Sequence, residues 1–329
     1  MSDARSEGLP HGPIIALGPV DDAVAEILRP FGPLITVGPA HATPAVLGAA
    51  IGLIARGDTI VNTTLIASMP NLRVIGRSGV GTERVDLAAA TARRIPVVIT
   101  PGAGTNAVAE GALAMILHLV KRLGELTALV RDGRWAERES MAFGDVDGAT
   151  LGIIGFGRIG RRLSAICRPL GMSILAFDPQ LDAATAGAAG VKATDLVDLV
   201  HRSDVVSLHA PLTADTTGLV GAELLNHFRP GSILVNCGRG GLVDLDAVHA
   251  ALNDGRLAGV GLDVYDPEPP AAAGHPLFRH PAVVLTPHVQ GLSALARQRT
   301  FRAMAEGMAA VLGGGRASDV ANPELDAVT

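Results

Sequence analysis

Short apolar runs alternate with segments of helical spacing through the first third of the chain. Five of these runs end in Gly, Pro or polar residues, which is typical of buried parallel strands. They are Pro13–Leu17, Leu34–Val37, Ile51–Ala55, Leu72–Gly76 and Pro96–Ile99. Helices are predicted between them at Ala23–Leu28, Pro44–Gly48, Thr64–Ala67 and Asp86–Arg93. The alternation predicts an α/β domain with its ligand side at the carboxyl ends of the strands.

A long helix is predicted next, from Asn106 to Arg131, where apolar residues recur at helical spacing. Asp132 and Gly133 end it. Trp135, the only tryptophan, follows on a charged loop. A tryptophan in this position is either a core aromatic or part of a subunit contact.

A glycine-rich turn opens the second alternating region. Gly155, Gly157 and Gly160 form a G-x-G-x-x-G directly after the apolar run Leu151–Ile154 and directly before the helical segment Arg161–Leu170. In this context the first glycine permits a tight turn, the second lets the backbone approach a pyrophosphate, and the third lets the helix pack on the sheet. The helix N-terminus then faces the anion.

An acidic residue follows at the spacing that a Rossmann unit requires. The strand pattern Ser173–Phe177 ends in Asp178, eighteen residues after Gly160. Such an acid hydrogen-bonds the adenosine ribose hydroxyls and repels a 2′-phosphate, so the spacing favours NAD over NADP. Asp-Pro alone is also typical of a turn.

Polar residues follow four further strand patterns in this region. The patterns are Val205–Leu208, Ser232–Val235, Gly259–Leu262 and Val283–Leu285. Because the carboxyl ends of parallel strands meet at one edge, we predict that Arg239, Asp263, Glu268 and His288 are neighbours. A last helix is predicted from Ser293 to Leu312, and Gly313–Gly315 predicts a mobile tail.

Composition limits the class of protein. The chain has 329 residues, 48% hydrophobic and 18% charged, with a net charge of -5, which predicts about two well-packed domains. Basic residues form no block that would attract nucleic acid, and no apolar run is long enough to span a membrane. Cys167 and Cys237 are the only cysteines, which predicts no disulfide framework and no metal site, and fits the cytoplasm.

Several motifs together resemble the D-isomer-specific 2-hydroxyacid dehydrogenases, and the resemblance covers nearly the whole chain. Arg73–Gly81 with Val85-Asp86 resembles the substrate loop of that family, and Thr100–Ala103 with Ala107–Glu110 resembles its hinge. Its arginine strand, its glutamate loop and its histidine signature are matched by Val235–Asp244, by Leu262–Tyr265 with Glu268-Pro269, and by Thr286–His288.

The resemblance implies an α/β fold with two doubly wound parallel-sheet domains and a cleft between them. A flavodoxin-like substrate domain would comprise residues 1–100 and 292–329, and a Rossmann NAD-binding domain residues 101–291. It also implies a homodimer through the NAD-binding domain, with the long helix and the Trp135 loop as the contact.

The resemblance assigns Arg239, Glu268 and His288 as the catalytic set. His288 would take the hydroxyl proton during oxidation and return it during reduction. Glu268 would orient the imidazole ring, and Arg239 would hold the substrate carboxylate and polarise the carbonyl oxygen. His209 lies at a strand end of the same region but outside the family signature.

The remaining site residues are also implied by the resemblance. Those expected to contact NAD are Gly155, Gly157, Arg158, Ile159, Gly160, Asp178, Ala210, Pro211, Cys237, Gly238, Arg239, Asp263, His288 and Gly291. Those expected to contact substrate are Val80, Gly81 and Arg239, with Arg56 and Arg77 as further candidates. In phosphoglycerate dehydrogenases, arginines at matching positions hold the substrate phosphate; the alternative is that one or both of these arginines make structural salt bridges.

Two departures from the family pattern stand near the nicotinamide end, where Gln290 replaces the usual Gly or Ala and Ser293 the usual Thr. The predicted reaction is hydride transfer between NAD and a D-2-hydroxy or 2-oxo acid of the glyoxylate, hydroxypyruvate or 3-phosphoglycerate type. A phosphite- or formate-type dehydrogenase stays open, although formate dehydrogenases have Gln where Glu268 stands. An NAD(H)-sensing protein of the corepressor kind is the alternative from another class.

Overall fold

The computed structural model describes residues 10–38, 43–57, 59–271 and 274–327. The chain divides into two compact units. Unit 1 contains Met1–Gly104 and Leu292–Thr329, and unit 2 contains Thr105–Gly291. Elements are numbered in chain order through both units.

Unit 1 is built on a parallel sheet. Its strands are β1 (Ile14–Leu17), β2 (Leu34–Val37), β3 (Gly52–Ala55), β4 (Val74–Arg77) and β5 (Val97–Val98). Their order across the sheet is β2-β1-β3-β4-β5, and every neighbouring pair is parallel. The helices are α1 (Asp22–Leu28), α2 (Pro44–Gly48), α3 (Thr63–Ala67), α4 (Leu87–Ala92) and, from the C-terminal segment, α12 (Ala294–Leu312).

Helix α12 covers one face of this sheet. Phe301, Met304 and Met308 are buried in one core cluster with residues of β1 and β4. Gly76 of β4 is required here, because a Cβ at that position would overlap the sulfur of Met308. The C-terminal segment therefore covers one face of the unit 1 sheet. A parallel sheet needs such cover because both of its faces are normally buried.

The prediction of a mobile tail after Gly313 is wrong for the residues that the structure describes. Val320 forms an antiparallel bridge with Val98, and Ala321 N donates to Val97 O at 2.8 Å. The side chain of Asn322 is buried; its Oδ1 accepts from Val97 N at 2.9 Å, and its Nδ2 donates to Ile95 O at 2.9 Å. Glycines end α12 and turn the chain back to the sheet edge.

Unit 2 contains a larger parallel sheet. Its strands are β6 (Thr150–Ile154), β7 (Ser173–Phe177), β8 (Lys192–Ala193), β9 (Val205–Leu208), β10 (Ser232–Asn236), β11 (Leu257–Leu262) and β12 (Val283–Leu285). Their order is β12-β11-β10-β9-β6-β7-β8. The helices are α5 (Thr105–Val120), α6 (Leu123–Arg131), α7 (Arg158–Cys167), α8 (Ala183–Ala188), α9 (Leu196–Arg202), α10 (Ala222–Leu225) and α11 (Leu245–Asn253).

Two parallel-sheet α/β domains confirm the predicted fold class. The sequence pattern missed β8, which is only two residues long and pairs with β7 at the sheet edge. It also placed the start of α7 too late, because Gly157 caps the helix and Arg158 is already its first residue.

The single long helix predicted from Asn106 to Arg131 is wrong. Arg122 has a φ of 48°, in the left-handed region, and separates α5 from α6. Its guanidinium bonds to two later positions, through Nε to Glu125 Oε1 in α6 at 2.8 Å and through Nη1 to Ala142 O at 2.9 Å. A turn of this kind is held by contacts that hydrophobic spacing does not encode.

Trp135 begins a short 3₁₀ turn, Trp135–Ser140, and its side chain is 61% exposed. The interpretation of Trp135 as a core aromatic is therefore wrong for this chain. Among the described residues, no helix is both long and apolar enough to cross a membrane.

Candidate active site

The glycine turn after β6 has the geometry of an anion-binding turn. Gly155 has a φ of 92°, and a Cβ there would lie 2.5 Å from Ala210 N. A Cβ at Gly160 would overlap Gly155 O, whereas none of the described atoms lies within 4 Å of a Cβ at Gly157. Helix α7 begins at Arg158 without a side-chain cap on its N-terminal N–H groups. The turn thus combines close packing with open space at a helix N-terminus, which fits a dinucleotide pyrophosphate.

Asp178 follows β7, the strand next to β6. Its Oδ2 accepts from Phe156 N and its Oδ1 from Gln180 N, both at 2.9 Å. The carboxylate therefore ties the glycine turn to the end of β7. Each carboxylate oxygen has a second lone pair, so these bonds leave acceptor capacity for the hydroxyls of a ribose.

Arg239 follows β10, and the loop that carries it is closed by a buried amide. Asn236 Nδ2 donates to Arg239 O at 2.9 Å, and Asn236 Oδ1 accepts from Gly238 N at 3.0 Å. Gly240 then lets this loop touch the next one, because a Cβ at Gly240 would overlap the backbone of Tyr265. The guanidinium itself donates through Nη1 to Gly238 O at 2.9 Å.

His288 and Glu268 form a direct pair. His288 Nδ1 lies 2.8 Å from Glu268 Oε2, and Glu268 Oε1 accepts from Tyr265 N at 3.1 Å. The hydroxyl of Tyr265 donates toward Leu262 O and Thr286 O, at 3.1 and 2.9 Å. Tyr265 thus joins the glutamate loop to the histidine loop, and burial raises the pKa of its hydroxyl to about 12.

Asp263, at the end of β11, anchors the backbone around His288. Its Oδ1 accepts from Thr286 Oγ1 at 2.6 Å and from Val289 N at 2.9 Å, and its carbonyl accepts from His288 N at 2.8 Å. His288 has a φ of 52°, a left-handed conformation that the surrounding bonds must hold. Burial raises the pKa of Asp263, and these hydrogen bonds oppose that shift.

Two further titratable groups lie near these strand ends. His209 Nε2 lies 2.9 Å from Ser207 Oγ, and burial lowers the pKa of the imidazole to about 4, so His209 is neutral at ordinary pH. Burial, with a contribution from Asp263, raises the pKa of the Cys237 thiol to about 12. A thiol with this pKa is not a nucleophile, which agrees with a packing role beside the site.

The predicted site residues of unit 1 have a different character. Arg77 is 6% exposed and donates through Nε to Gly81 O at 2.9 Å, through Nη2 to Gly57 O at 2.8 Å and through Nη1 to the carbonyl of Arg56. Arg56 Nη1 donates to Pro19 O at 3.1 Å. These contacts to backbone carbonyls favour structural roles for both arginines. Val80 is exposed, and the roles of Val80 and Gly81 stay predictions.

The side chains of Ser293 and Gln290, the two departures from the family pattern, both make hydrogen bonds. Ser293 is the N-cap of α12, where its Oγ accepts from Ala296 N at 3.2 Å, a task that Thr also performs. Gln290 donates through Nε2 to Thr286 Oγ1 at 3.1 Å.

The sequence arguments assigned no role to Asn236, Tyr265 or Thr286. All three act by hydrogen bonds that become visible only when the loops are folded. The signal available in the sequence was their position inside or beside the matched motifs.

Comparisons with known proteins agree with this geometry. Residues 113–290 match the family described as "D-isomer specific 2-hydroxyacid dehydrogenase, NAD binding domain". The D-3-phosphoglycerate dehydrogenase of Archaeoglobus fulgidus is 37% identical over 254 residues, 77% of this chain and 48% of that protein. The chain spans about half the length of relatives of this kind.

Two solved structures are similar over most of the chain. The D-lactate dehydrogenase of Aquifex aeolicus, complexed with NAD and lactic acid, has a TM-score of 0.83 at 26% identity and covers 94% of this chain and 99% of its own. A glyoxylate reductase from Paecilomyes thermophila also has a TM-score of 0.83 at 26% identity, with 96% and 100% covered.

Proposed function

The chain belongs to the D-isomer-specific 2-hydroxyacid dehydrogenases and contains the NAD binding domain of that family, and from this we propose that it transfers a hydride between NAD and a short D-2-hydroxy or 2-oxo acid. The observation that carries the proposal is the contact of 2.8 Å between His288 Nδ1 and Glu268 Oε2. A histidine with one nitrogen fixed by a carboxylate presents the other to a substrate in a defined orientation.

Each proposed role follows from the chemistry of the side chain. In the oxidation, His288 Nε2 accepts the proton of the substrate hydroxyl, and in the reduction it returns a proton to the carbonyl oxygen. Glu268 fixes the ring and balances the charge of the imidazolium. Arg239 binds the substrate carboxylate, since its planar fork matches two oxygens. Bound NAD supplies the acceptor for the hydride that leaves C2.

The residues around the glycine turn would hold the dinucleotide. Gly155, Gly157 and Gly160 shape the turn, the N-terminus of α7 at Arg158 and Ile159 faces the pyrophosphate, and Asp178 binds the ribose. Ala210, Pro211, Cys237, Gly238, Asp263 and Gly291, together with Arg239 and His288, are proposed to complete the contacts. In this assignment unit 2 is the NAD-binding domain and unit 1 the substrate domain.

Turnover measurements test the proposal. The purified protein should consume NADH with at least one of glyoxylate, hydroxypyruvate, pyruvate or phosphohydroxypyruvate, while His288→Asn should bind NADH without turnover. NAD reduction by phosphite or formate, in the absence of turnover with any 2-oxo acid, would transfer the proposal to those substrates. NADH binding without turnover of any of them would favour the sensing protein.

The phosphorylated substrate is a narrower question. Relatives such as the one from Archaeoglobus fulgidus are named D-3-phosphoglycerate dehydrogenase. However, the guanidinium of Arg77 donates hydrogen bonds to backbone carbonyls of its own unit. We therefore propose an unphosphorylated acid as the main substrate. A kcat/KM that is higher for phosphohydroxypyruvate than for hydroxypyruvate in wild type, and that loses this advantage in Arg56→Ala, would contradict that choice.

We also propose a homodimer, supported by apolar side chains on α6 and the loop after it. Leu123, Val130, Trp135 and Phe143 are all exposed, between 47% and 62%. Large apolar side chains so close together in sequence are typical of a surface that is covered in an assembly. The cytoplasmic location and the absence of nucleic-acid partners remain predictions.

A further inference from the structure

Gln290 stands where the family usually has Gly or Ala, and its side chain has a defined place in unit 2. Nε2 donates to Thr286 Oγ1 at 3.1 Å, and Thr286 Oγ1 donates to Asp263 Oδ1 at 2.6 Å. The direction of this chain is fixed: Asp263 as a carboxylate can only accept, so the Thr286 hydroxyl must accept from an amide N–H. The backbone N of Gln290 also donates to Asp263 Oδ2 at 3.2 Å.

The other side of the Gln290 amide lies against α5. Gly111 is buried in that helix, and a Cβ at Gly111 would overlap Gln290 Oε1 and Cδ and lie 2.9 Å from Gln290 Cγ. Gly in a helix interior is unfavourable relative to Ala. The glutamine therefore occupies the volume that any larger residue at position 111 would take.

These contacts surround a strained residue. His288 lies two residues before Gln290 and has a left-handed φ of 52°. The loop that carries it is bonded to Asp263 at Thr286, His288, Val289 and Gln290. The side chain of Gln290 also packs against Gly111 of α5, so it limits how far the loop can move.

We propose that Gln290 is a positioning residue for His288, acting through Thr286 and Asp263. The absence of a side chain at Gly111 leaves the room that the Gln290 amide occupies. The inference rests on the proposed function for its kinetic consequence but not for its structural one. Gln290→Ala removes both the packing and the hydrogen bond. Gln290→Glu keeps the shape and removes the donor, because an ionised carboxylate can only accept.

A double-mutant cycle tests the packing. Gly111→Ala should lower Tm in wild type, because the new methyl displaces the amide, and should raise Tm by a few degrees in the Gln290→Ala background, where helix propensity decides. Gly187→Ala in α8 is the matched control, since the structure places no described atom within 4 Å of its Cβ, and it should raise Tm in both backgrounds. If Gly111→Ala raises Tm in wild type as Gly187→Ala does, the packing is refuted.

A spectroscopic measurement tests the positioning without any turnover. In protein labelled with ¹⁵N-histidine, the ring signal of His288, assigned by its loss in His288→Asn, should shift or broaden in both Gln290→Ala and Gln290→Glu. The ring signal of His249, which lies in α11 near Asn253 Nδ2, should stay unchanged. An unchanged His288 signal in both variants would overturn the positioning role.

Kinetics supply the last measurement. Loss of one positioning hydrogen bond should lower kcat about five- to tenfold in Gln290→Ala and Gln290→Glu, with KM for NADH within about twofold of wild type. A kcat equal to that of wild type would contradict the inference. Failure of the wild type itself to turn over any 2-oxo acid would overturn the proposed function instead, and the His288 signal would still decide the role of Gln290.

Discussion

The left-handed backbone of His288 places an imidazole at the end of β12 with one nitrogen on Glu268. If this nitrogen fixes the ring and the other carries the proton, His288→Ala should lower kcat/KM about 10³-fold, as expected for loss of a general acid–base. Glu268→Gln should lower it less, about tenfold, because the amide can still accept the hydrogen bond.

NADH fluorescence supplies the control for both variants. The dissociation constant of NADH should change little, since the proposed pyrophosphate and ribose contacts lie on the glycine turn and Asp178. Turnover near the wild-type rate in His288→Ala would contradict the catalytic assignment.

Asp178 governs the choice of dinucleotide in the same direct way. Asp178→Asn keeps an acceptor for the Phe156 N–H and removes the charge, so the ratio of kcat/KM for NADPH to that for NADH should rise about tenfold. Asp178→Ala should raise the ratio as well but also loosen the turn. Equal use of both dinucleotides by the wild type would exclude this role of the carboxylate.

The lowered pKa of His209 predicts that the folded protein loses stability in acid. Burial lowers the pKa of its imidazole from the ordinary value of 6.5 to about 4. Below pH 6.5 the imidazole of His209 becomes protonated in the unfolded chain, whereas in the folded protein it stays neutral until about pH 4. The free energy of unfolding should therefore fall through this window, by up to about 3 kcal/mol.

His209→Gln should remove this part of the pH dependence, measured by urea unfolding at a series of pH values. His201→Gln, at an exposed position in α9, is the control and should leave it in place. A wild type and a His209→Gln variant with parallel acid profiles would show that His209 does not titrate in this way.

At the scale of elements, the C-terminal segment is hydrogen-bonded to strand β5 at the edge of the unit 1 sheet. Asn322→Ala leaves the buried Val97 N and Ile95 O without their partner, which should destabilise the protein by about 2 kcal/mol. Asn71→Ala, which removes an exposed bond to Gly48 O in the same unit, should change Tm much less. Equal shifts in Tm for the two variants would mean that the tail contributes little.

The elements that the sequence could predict are those set by local pattern, and those that it could not predict depend on contacts between distant residues. A strand such as β1 is a continuous apolar run between Pro13 and Gly18, so the local pattern was enough to predict it. The break at Arg122 depends on Ala142 O, twenty residues later, and the tail on a bond between positions 225 residues apart. Local patterns do not contain such contacts.

The same distinction holds in the site. Glu268 and His288 could be predicted because each stands in a recognisable motif. Asn236, Tyr265 and Thr286 could not, because they hold backbone groups of loops whose approach is set by the sheet. Gln290 was visible as a departure, but its partner Gly111 was not, since a glycine in a helix carries no sign of what fills the space beside it.

For the whole molecule, the proposed dimer predicts two chains in solution at micromolar concentration, measured by light scattering. Trp135→Asp and Val130→Asp place a charge on the exposed apolar surface of α6 and the loop after it, and should shift the protein toward monomer. Val197→Asp is the control, because Val197 is also 45% exposed but lies in α9. A monomeric wild type, or equal dissociation in all three variants, would refute α6 and the loop after it as the interface.

The two units differ in how their sheets are assembled from the chain. Unit 2 is one continuous segment, whereas the sheet of unit 1 is covered by α12 and completed at β5 by Val320 and Asn322. During synthesis on the ribosome, β1 to β5 emerge first but cannot bury Met304 and Met308 until residues 294–322 have followed. Unit 2 can therefore finish folding before unit 1, and a nascent chain whose residue 291 has just left the ribosome should already bind NADH.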